Sequence, residues 1–503
     1  MLVPVRTGRA SAPRALAAAG ALKLEPEIWF LVGLTLLAAA LRLATISSQS
    51  YWVDEATTVH ELHLGLGGLI HALRVNESTP PLYYLLAWGW VKLFGSGEAA
   101  LRSLSAVAGI ALVPIAYGCG RELVSRAAGL VAAALVSVNP FLIWYSQEAR
   151  AYMLFAALSG CSLWFFARSR RAPSARNLTG WTVFSVLAVL SHFFAGFLIA
   201  PEVVLLALAH RRRAVLIAAA GVLAVQLAVI PLALGDLSHP LLGWIKQFSL
   251  SVRVQQVPVS FGLGTLYQSS LVNHGLLGAA VLGLVVVVLL VRAGGRPERR
   301  GAGTAALLAG TVILVPLVLA WVGRDYFVPR NMIPAWIPLA VVLGAACTVP
   351  RARLAGGLLA GVLLVGSVAA GNQIDSHAEY QRPDWRGVAQ ALGSTSQPRA
   401  IIAYDGQFAA QPLAIYLPHV PWSTPARPVS VMEVDVVGSP WQIVGQPLPP
   451  GVRLLARRSV GGFLVARFSV ASGWRLAPGA IAARAPSLLG PGPPNPAVLI
   501  QGT

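Results

Sequence analysis

Acidic residues are scarce in this chain, 19 Asp and Glu among 503 positions, so where they fall is informative. Two are adjacent in Tyr51-Trp52-Val53-Asp54-Glu55-Ala56. A carboxylate can take the proton of a reacting hydroxyl, and a second carboxylate beside it can tune the first. Asp54 and Glu55 are therefore candidate catalytic residues. Acids also favour a helix N-terminus, and from the residues alone both readings stay open. A second group is Ser146-Gln147-Glu148-Ala149-Arg150-Ala151-Tyr152, set between two apolar runs with almost no room for a loop. Charges held that close to apolar surroundings are expensive and point to function. Glu148 joins the catalytic candidates, Arg150 is a candidate phosphate ligand and Tyr152 a further site candidate; a Glu–Arg pair locking two helices is the alternative. The third group is Gly323-Arg324-Asp325-Tyr326-Phe327-Val328-Pro329-Arg330-Asn331. A guanidinium such as that of Arg330 suits a phosphate, although an arginine there could also snorkel to lipid headgroups. Lys246 is a weaker phosphate candidate. His192, in Ser191-His192-Phe193-Phe194, is a site candidate that could equally be structural.

The elements that must carry these groups follow from composition. The chain is 56% hydrophobic and 11% charged, against about 25% charged residues in soluble domains. Residues 28–41, 127–146, 214–234, 276–291, 302–323 and 354–371 hold almost no charge. Several approach the roughly 20 residues that cross a bilayer, and in lipid they must be helices. The formal net charge of +19 would suggest nucleic acid in a soluble protein. Here the arginines cluster between apolar runs, as topology signals do, and no nucleic-acid partner is expected. Cys119, Cys161 and Cys347 lie in apolar segments without metal or redox spacing. No metal cluster stands out. A basic, Ala-rich start followed by a long apolar stretch from Ile28 reads as a cytoplasmic segment, 1–27, and an uncleaved first helix.

Basic clusters at Arg6/Arg9/Arg14, Arg121/Arg126, Arg168/Arg170/Arg171/Arg176, Arg211/Arg212/Arg213, Arg292/Arg296/Arg299/Arg300 and Arg351/Arg353 mark the cytoplasmic side. The chain must go out and return between each successive pair. Counting the short apolar stretch from Pro80 to Phe94 as a span would invert everything after it. It is read instead as an interfacial or re-entrant helix within an outer loop, 47–98. The expected fold is an α-helical polytopic membrane protein with about eleven spans over 28–371, in the plasma membrane. All the odd charges then face one outer edge. Residues 372–487 change composition and read as a small extracytoplasmic α/β domain, with helices at 384–392 and 408–417 and strands at 399–404, 429–437 and 463–470. The Pro- and Gly-rich stretch 488–503 reads as a disordered tail.

Trp52-Val53-Asp54-Glu55, Thr79-Pro80-Pro81-Leu82-Tyr83-Tyr84, Ser146-Gln147-Glu148-Ala149-Arg150 and Arg330-Asn331-Met332-Ile333-Pro334 recur in one order. In this the chain resembles the bacterial branch of the GT-C superfamily that is similar to protein O-mannosyltransferases and to the lipid A aminoarabinose transferase. Pro383-Asp384-Trp385-Arg386 is similar to a tract of the same branch. The resemblance covers about residues 28–371. It implies a GT-C glycosyltransferase that takes a sugar from a polyprenyl-phosphate donor and passes it, with inversion, to a protein, lipid or glycan acceptor at the membrane surface. Asp54 would be the general base, Glu55 would position the acceptor or tune Asp54, and Glu148 would hold sugar or acceptor. Arg330, with Arg150 or Lys246, would bind the donor phosphate. No cofactor is expected, although some relatives use a divalent metal. A transporter or flippase of lipid-linked saccharides is the competing reading; it would place charges near mid-membrane and show internal repeats.

Overall fold

In the computed structural model, residues 25–74, 80–236, 245, 248–395, 397–403, 407–418, 428–438, 447–490 and 497–501 are described. Most of the expected cytoplasmic segment 1–27 lies outside them, as does Lys246. The first helix, α1 (Pro26–Leu43), starts on a proline, whose missing N–H costs nothing in the first turn. It is followed by three short helices, α2 (Val53–Leu62), α3 (Leu66–Ala72) and α4 (Leu82–Phe94). The 13 residues of α4 rise only about 20 Å, short of the roughly 30 Å hydrocarbon core. Then come α5 (Glu98–Leu123), α6 (Arg126–Val138), α7 (Pro140–Ser146), α8 (Tyr152–Arg171), α9 (Ala175–Ser191), α10 (Ala195–Ala209) and α11 (Arg213–Asp236). The bundle is completed by α12 (Leu250–Leu263), α13 (Gly275–Arg292), α14 (Arg296–Trp321), a 3-10 segment Pro329–Ala335, α15 (Trp336–Cys347) and α16 (Arg353–Ser376).

Seven of the described helical segments are long and apolar enough to cross a membrane, or eight if the bent pair α6 and α7 is one span. Of the further spans expected to make eleven, α8 and α9 do not meet this test and α10 is a shorter apolar helix, although all three pack in the same bundle. The outer faces of α13 and α16 carry exposed Leu and Val, as lipid-facing helices do. Close helix approach comes from small residues. A Cβ on Gly120 of α5 would meet the Gly129 Cα of α6 at 2.6 Å, so the two backbones touch there.

The 59° bend between α6 and α7 has a local cause. Pro140 has no N–H to give back along the helix. Asn139 caps α7 through Oδ1, which accepts from Leu142 N–H at 3.0 Å. The carbonyls left at the end of α6 are met by Arg42 of α1, whose Nη2 donates to Val136 O at 3.0 Å and Nη1 to Ser137 O at 2.9 Å. Arg42 also donates from Nε to Ser146 Oγ at 3.0 Å and is fully buried. It therefore fixes α7, and the turn that follows, against α1.

Past the expected boundary at 371, α16 continues to Ser376 and leads into α17 (Trp385–Leu392), β1 (Arg399–Ala403), α18 (Gln407–Tyr416), β2 (Val429–Gly438), β3 (Val452–Val460) and β4 (Phe463–Leu476). With β5 (Ala497–Gln501), the sheet order is β3-β4-β2-β1-β5, with β1 and β2 parallel and the other pairs antiparallel. Strand β3 escaped the sequence reading because it is an edge strand whose side chains, Arg453, Arg457 and Arg458 among them, are mostly exposed. The reading of 488–503 as a disordered tail is corrected: Ala497–Gln501 forms β5, paired with β1 in register from Arg399–Gln501 to Ala403–Ala497. Its centre, Val498-Leu499-Ile500, is buried; this apolar run closes the β1 edge, and the Pro and Gly before it masked the signal. Arg399 ties α17 to the sheet, donating to Leu392 O and Gly393 O at 2.7 Å and to Asp435 at 2.9 Å.

Candidate active site

The site is built on the N-terminus of α2. Glu55 is fully buried and its carboxylate is gripped by Arg102 of α5, with Nε–Oε1 at 2.7 Å and Nη2–Oε2 at 2.6 Å. Glu55 Oε1 also accepts from Ala149 N–H at 2.8 Å, and Oε2 from Trp52 N–H at 3.4 Å. Arg102 in turn donates to the carbonyls of Ile46, Gln49 and Ser50. One buried ion pair thus fastens together α5, the 44–52 turn, α2 and the 147–151 turn. The role expected for Glu55 is to position the acceptor or tune Asp54; both its oxygens are engaged in this framework, through which it positions the residues around it.

Its neighbour Asp54 points the other way. Asp54 Oδ2 accepts from Arg330 Nη1 at 3.0 Å, and both side chains keep partial exposure, 26% and 19%. Arg330 stands in the 3-10 segment, its guanidinium 5.8 Å from the Trp52 ring centroid and 5.6 Å from that of Tyr152. Two aromatic faces hold the cation by its charge and flat shape. Arg150 reaches the same region: Nη1 donates to Tyr84 Oη at 2.8 Å and Thr58 Oγ1 at 3.3 Å.

Glu148 sits in the turn between α7 and α8, almost fully buried. Its Oε2 accepts from Nη2 of Arg382 at 3.1 Å, while Oε1 is buried with no partner among the described residues. Burial pushes its carboxyl up to about 7, opposed by Arg382 and Arg330 and reinforced by Glu55 and Asp54. Trp52 Nε1 is a second buried polar atom without a partner among the described residues. An unused donor and an unused acceptor in one region suit a hydroxyl-rich ligand. Arg382 escaped the sequence reading, although it directly precedes the Pro383-Asp384-Trp385-Arg386 tract.

His192 ends α9 behind this group. Its ring stacks on Phe155 at 4.7 Å, lies 6.0 Å from Tyr152, and its Nδ1 accepts from Phe194 N–H at 3.3 Å. Burial, and then Arg150 and Arg330, push it down to about 3, so it is neutral and supports the Tyr152 wall. The structure therefore brings Asp54, Arg330, Arg150, Glu148 and Tyr152 together, puts Glu55 beneath them and His192 behind. Among the described residues no three His, Cys, Asp or Glu side chains gather as a metal site would.

The soluble domain closes one side. Tyr51 N–H donates to Tyr416 Oη at 2.8 Å, Tyr416 is hydrogen-bonded to Glu98, and Thr57 of α2 to Gln411 of α18. The helix that carries Asp54 thus rests against α18.

Comparison with known proteins adds two findings. A sequence family described as dolichyl-phosphate-mannose-protein mannosyltransferase matches residues 78–234. Curated protein sequences give no significant match. Among solved structures, ArnT from Cupriavidus metallidurans in the apo state superposes with a TM-score of 0.51 at 14% identity, covering 88% of this chain and 98% of that one. ArnT from the same organism bound to undecaprenyl phosphate gives 0.48 at 14% identity over the same shares. The Archaeoglobus fulgidus oligosaccharyltransferase in complex with Zn and sulfate gives 0.40 at 17% identity, covering 72% of this chain and 55% of that one. The first of these matches establishes the shared fold, and over 78–234 the sequence carries the mannosyltransferase pattern. In fold and in this segment, the chain is similar to the GT-C glycosyltransferases.

Proposed function

We propose that the protein is an integral membrane glycosyltransferase that moves a sugar from a polyprenyl-phosphate donor to an acceptor hydroxyl on the extracytoplasmic face, with inversion. The observation that carries this is the Asp54–Arg330 pair: a carboxylate and an anion-binding cation side by side, both still accessible, at one edge of an apolar bundle. A lipid-linked donor suits that edge, because its tail can stay in lipid while its phosphate meets Arg330. The dolichyl-phosphate-mannose named for the matching family is a donor of this kind. The positive-inside pattern of the arginine clusters supports an outward orientation.

In this mechanism the donor phosphate draws Arg330 away from Asp54. The freed carboxylate accepts the acceptor hydroxyl proton as the oxygen attacks the anomeric carbon from the face opposite the phosphate. The sugar–phosphate C–O bond breaks with its electron pair on the phosphate, whose charge Arg330 and Arg150 stabilise. Glu148 Oε1 and Trp52 Nε1 are free to bind sugar or acceptor hydroxyls. The chemistry assigned here is carried by side chains, and chelation with EDTA is expected to leave turnover unchanged. Purified protein in nanodiscs, given labelled polyprenyl-phosphate pentoses and hexoses with acceptor membranes from a deletion strain, should release free polyprenyl phosphate. Movement of intact donor between leaflets with no such release would favour the flippase reading instead.

A further inference from the structure

The segment leaving α16 is laid along the turn that leads into Trp52 and Asp54. Arg382 N–H donates to Gln49 Oε1 at 2.9 Å, and Arg386 Nη2 to Ser47 O at 3.2 Å. Ser50 Oγ donates to Pro383 O at 3.1 Å and accepts from Trp385 N–H at 2.9 Å. From this seam the Arg382 side chain turns inward. Its guanidinium lies 4.1 Å from the Trp144 ring centroid, and Nη2 donates to Trp144 O at 3.2 Å as well as to Glu148 Oε2. Both partners of the Arg382–Glu148 pair are almost completely buried, at 3% and 1% exposure. The pair uses one Glu148 oxygen and leaves Oε1 buried and unpartnered among the described residues. A buried acceptor left unused is costly, a cost that a ligand hydroxyl would remove.

Resting on the glycosyltransferase reading for its substrate, we infer that Arg382 is a positioning residue for transfer: it holds Glu148 turned so that Oε1 meets a hydroxyl of the bound sugar or acceptor. The linker to the soluble domain thereby completes the membrane site, since Arg382 reaches Glu148 only while residues 382–386 are seated on 47–50. The charges facing Glu148 are Arg382 from the linker, Arg330 from the 3-10 segment, and Asp54 and Glu55 from α2. Tyr145 of α7, Tyr152 of α8 and Tyr83 of α4 also face it. Arg382 comes first among the groups that oppose burial, and the balance of all of them leaves the carboxyl up at about 7. Without its charge, Glu148 stays protonated to higher pH.

The test uses the full-length protein in nanodiscs, with wild type, Arg382→Met, Arg382→Lys, Glu148→Gln and the Met/Gln double variant. Two readouts are taken from pH 5 to 9. The first is release of polyprenyl phosphate from the pentose and hexose donor panel. Arg382→Met is expected to move the acid limb of the rate upward by about 1–3 pH units, and Arg382→Lys to move it part of the way back. Glu148→Gln removes the limb, and the double variant is no slower than Glu148→Gln alone. The second readout, Tm, needs no turnover. A carboxyl whose folded value lies above its unfolded value stabilises at low pH and loses that contribution as pH rises through the folded value. Wild type loses it by about pH 7; Arg382→Met should keep losing Tm above that, and adding Glu148→Gln should abolish the excess.

Excess Tm loss with no turnover of any donor by wild type would keep the Arg382–Glu148 coupling and discard glycosyl transfer. Turnover by wild type, with both profiles unchanged in Arg382→Met, would overturn the role given to Arg382.

Discussion

Asp54 and Glu55 are neighbours in the chain and in helix α2, yet they end in opposite surroundings. Glu55 faces inward, where Arg102 and two backbone N–H groups use both of its oxygens. Asp54 faces the edge of the bundle, where a single, partly exposed arginine holds it. One pair is framework; the other stays partly exposed and, in the proposed mechanism, exchanges partners. The difference shows how two adjacent carboxylates on an apolar bundle are divided. A dry, over-determined ion pair fixes the helix, and its rigidity lets the second carboxylate remain loosely held.

This contrast can be broken in measurable ways. The largest effect is expected from Asp54→Asn, which removes the proposed base and should lower the transfer rate by about 10²–10⁴-fold while leaving Tm near that of wild type. Normal turnover in that variant would sink the role assigned to Asp54. Arg102→Met should do the reverse kind of damage. Stranding a buried carboxylate costs about 3–5 kcal/mol, so folded yield and Tm should fall before any kinetic effect can be isolated. Arg330→Met removes a charge-assisted contact worth about 1.5–3 kcal/mol. It should weaken use of the lipid-phosphate donor by roughly ten- to a hundredfold in kcat/KM. The smallest effect belongs to the exposed Arg126–Glu27 pair at the far end of the bundle, where the arginine is 63% exposed. Arg126→Ala should change stability by about 1 kcal/mol or less, and a larger loss would mean that the two ion-pair classes are not distinct.

The soluble domain offers the same lesson at larger scale. Its central strands β1, β2 and β4 were legible because alternating or continuous apolar runs announce them. The edges were not: β3 exposes its arginines, and β5 is a short apolar run behind a Pro- and Gly-rich stretch. An edge strand is defined by its partner, and periodicity alone does not name the partner.

By itself the sequence determined the membrane class and the motifs holding Asp54, Glu148, Arg150 and Arg330, because hydropathy and rare charges are local properties. It also showed that Glu55 and Arg382 exist, but not what they do. Arg102 lies 47 positions from Glu55, and Arg382 lies 234 from Glu148. The packing of α5 against α2, and the seating of the linker on 47–50, brought those partners together. Only the tertiary structure could decide that one carboxylate of the adjacent pair is spent as a fastener and the other left partly exposed beside Arg330, because burial and partner choice arise where distant segments meet.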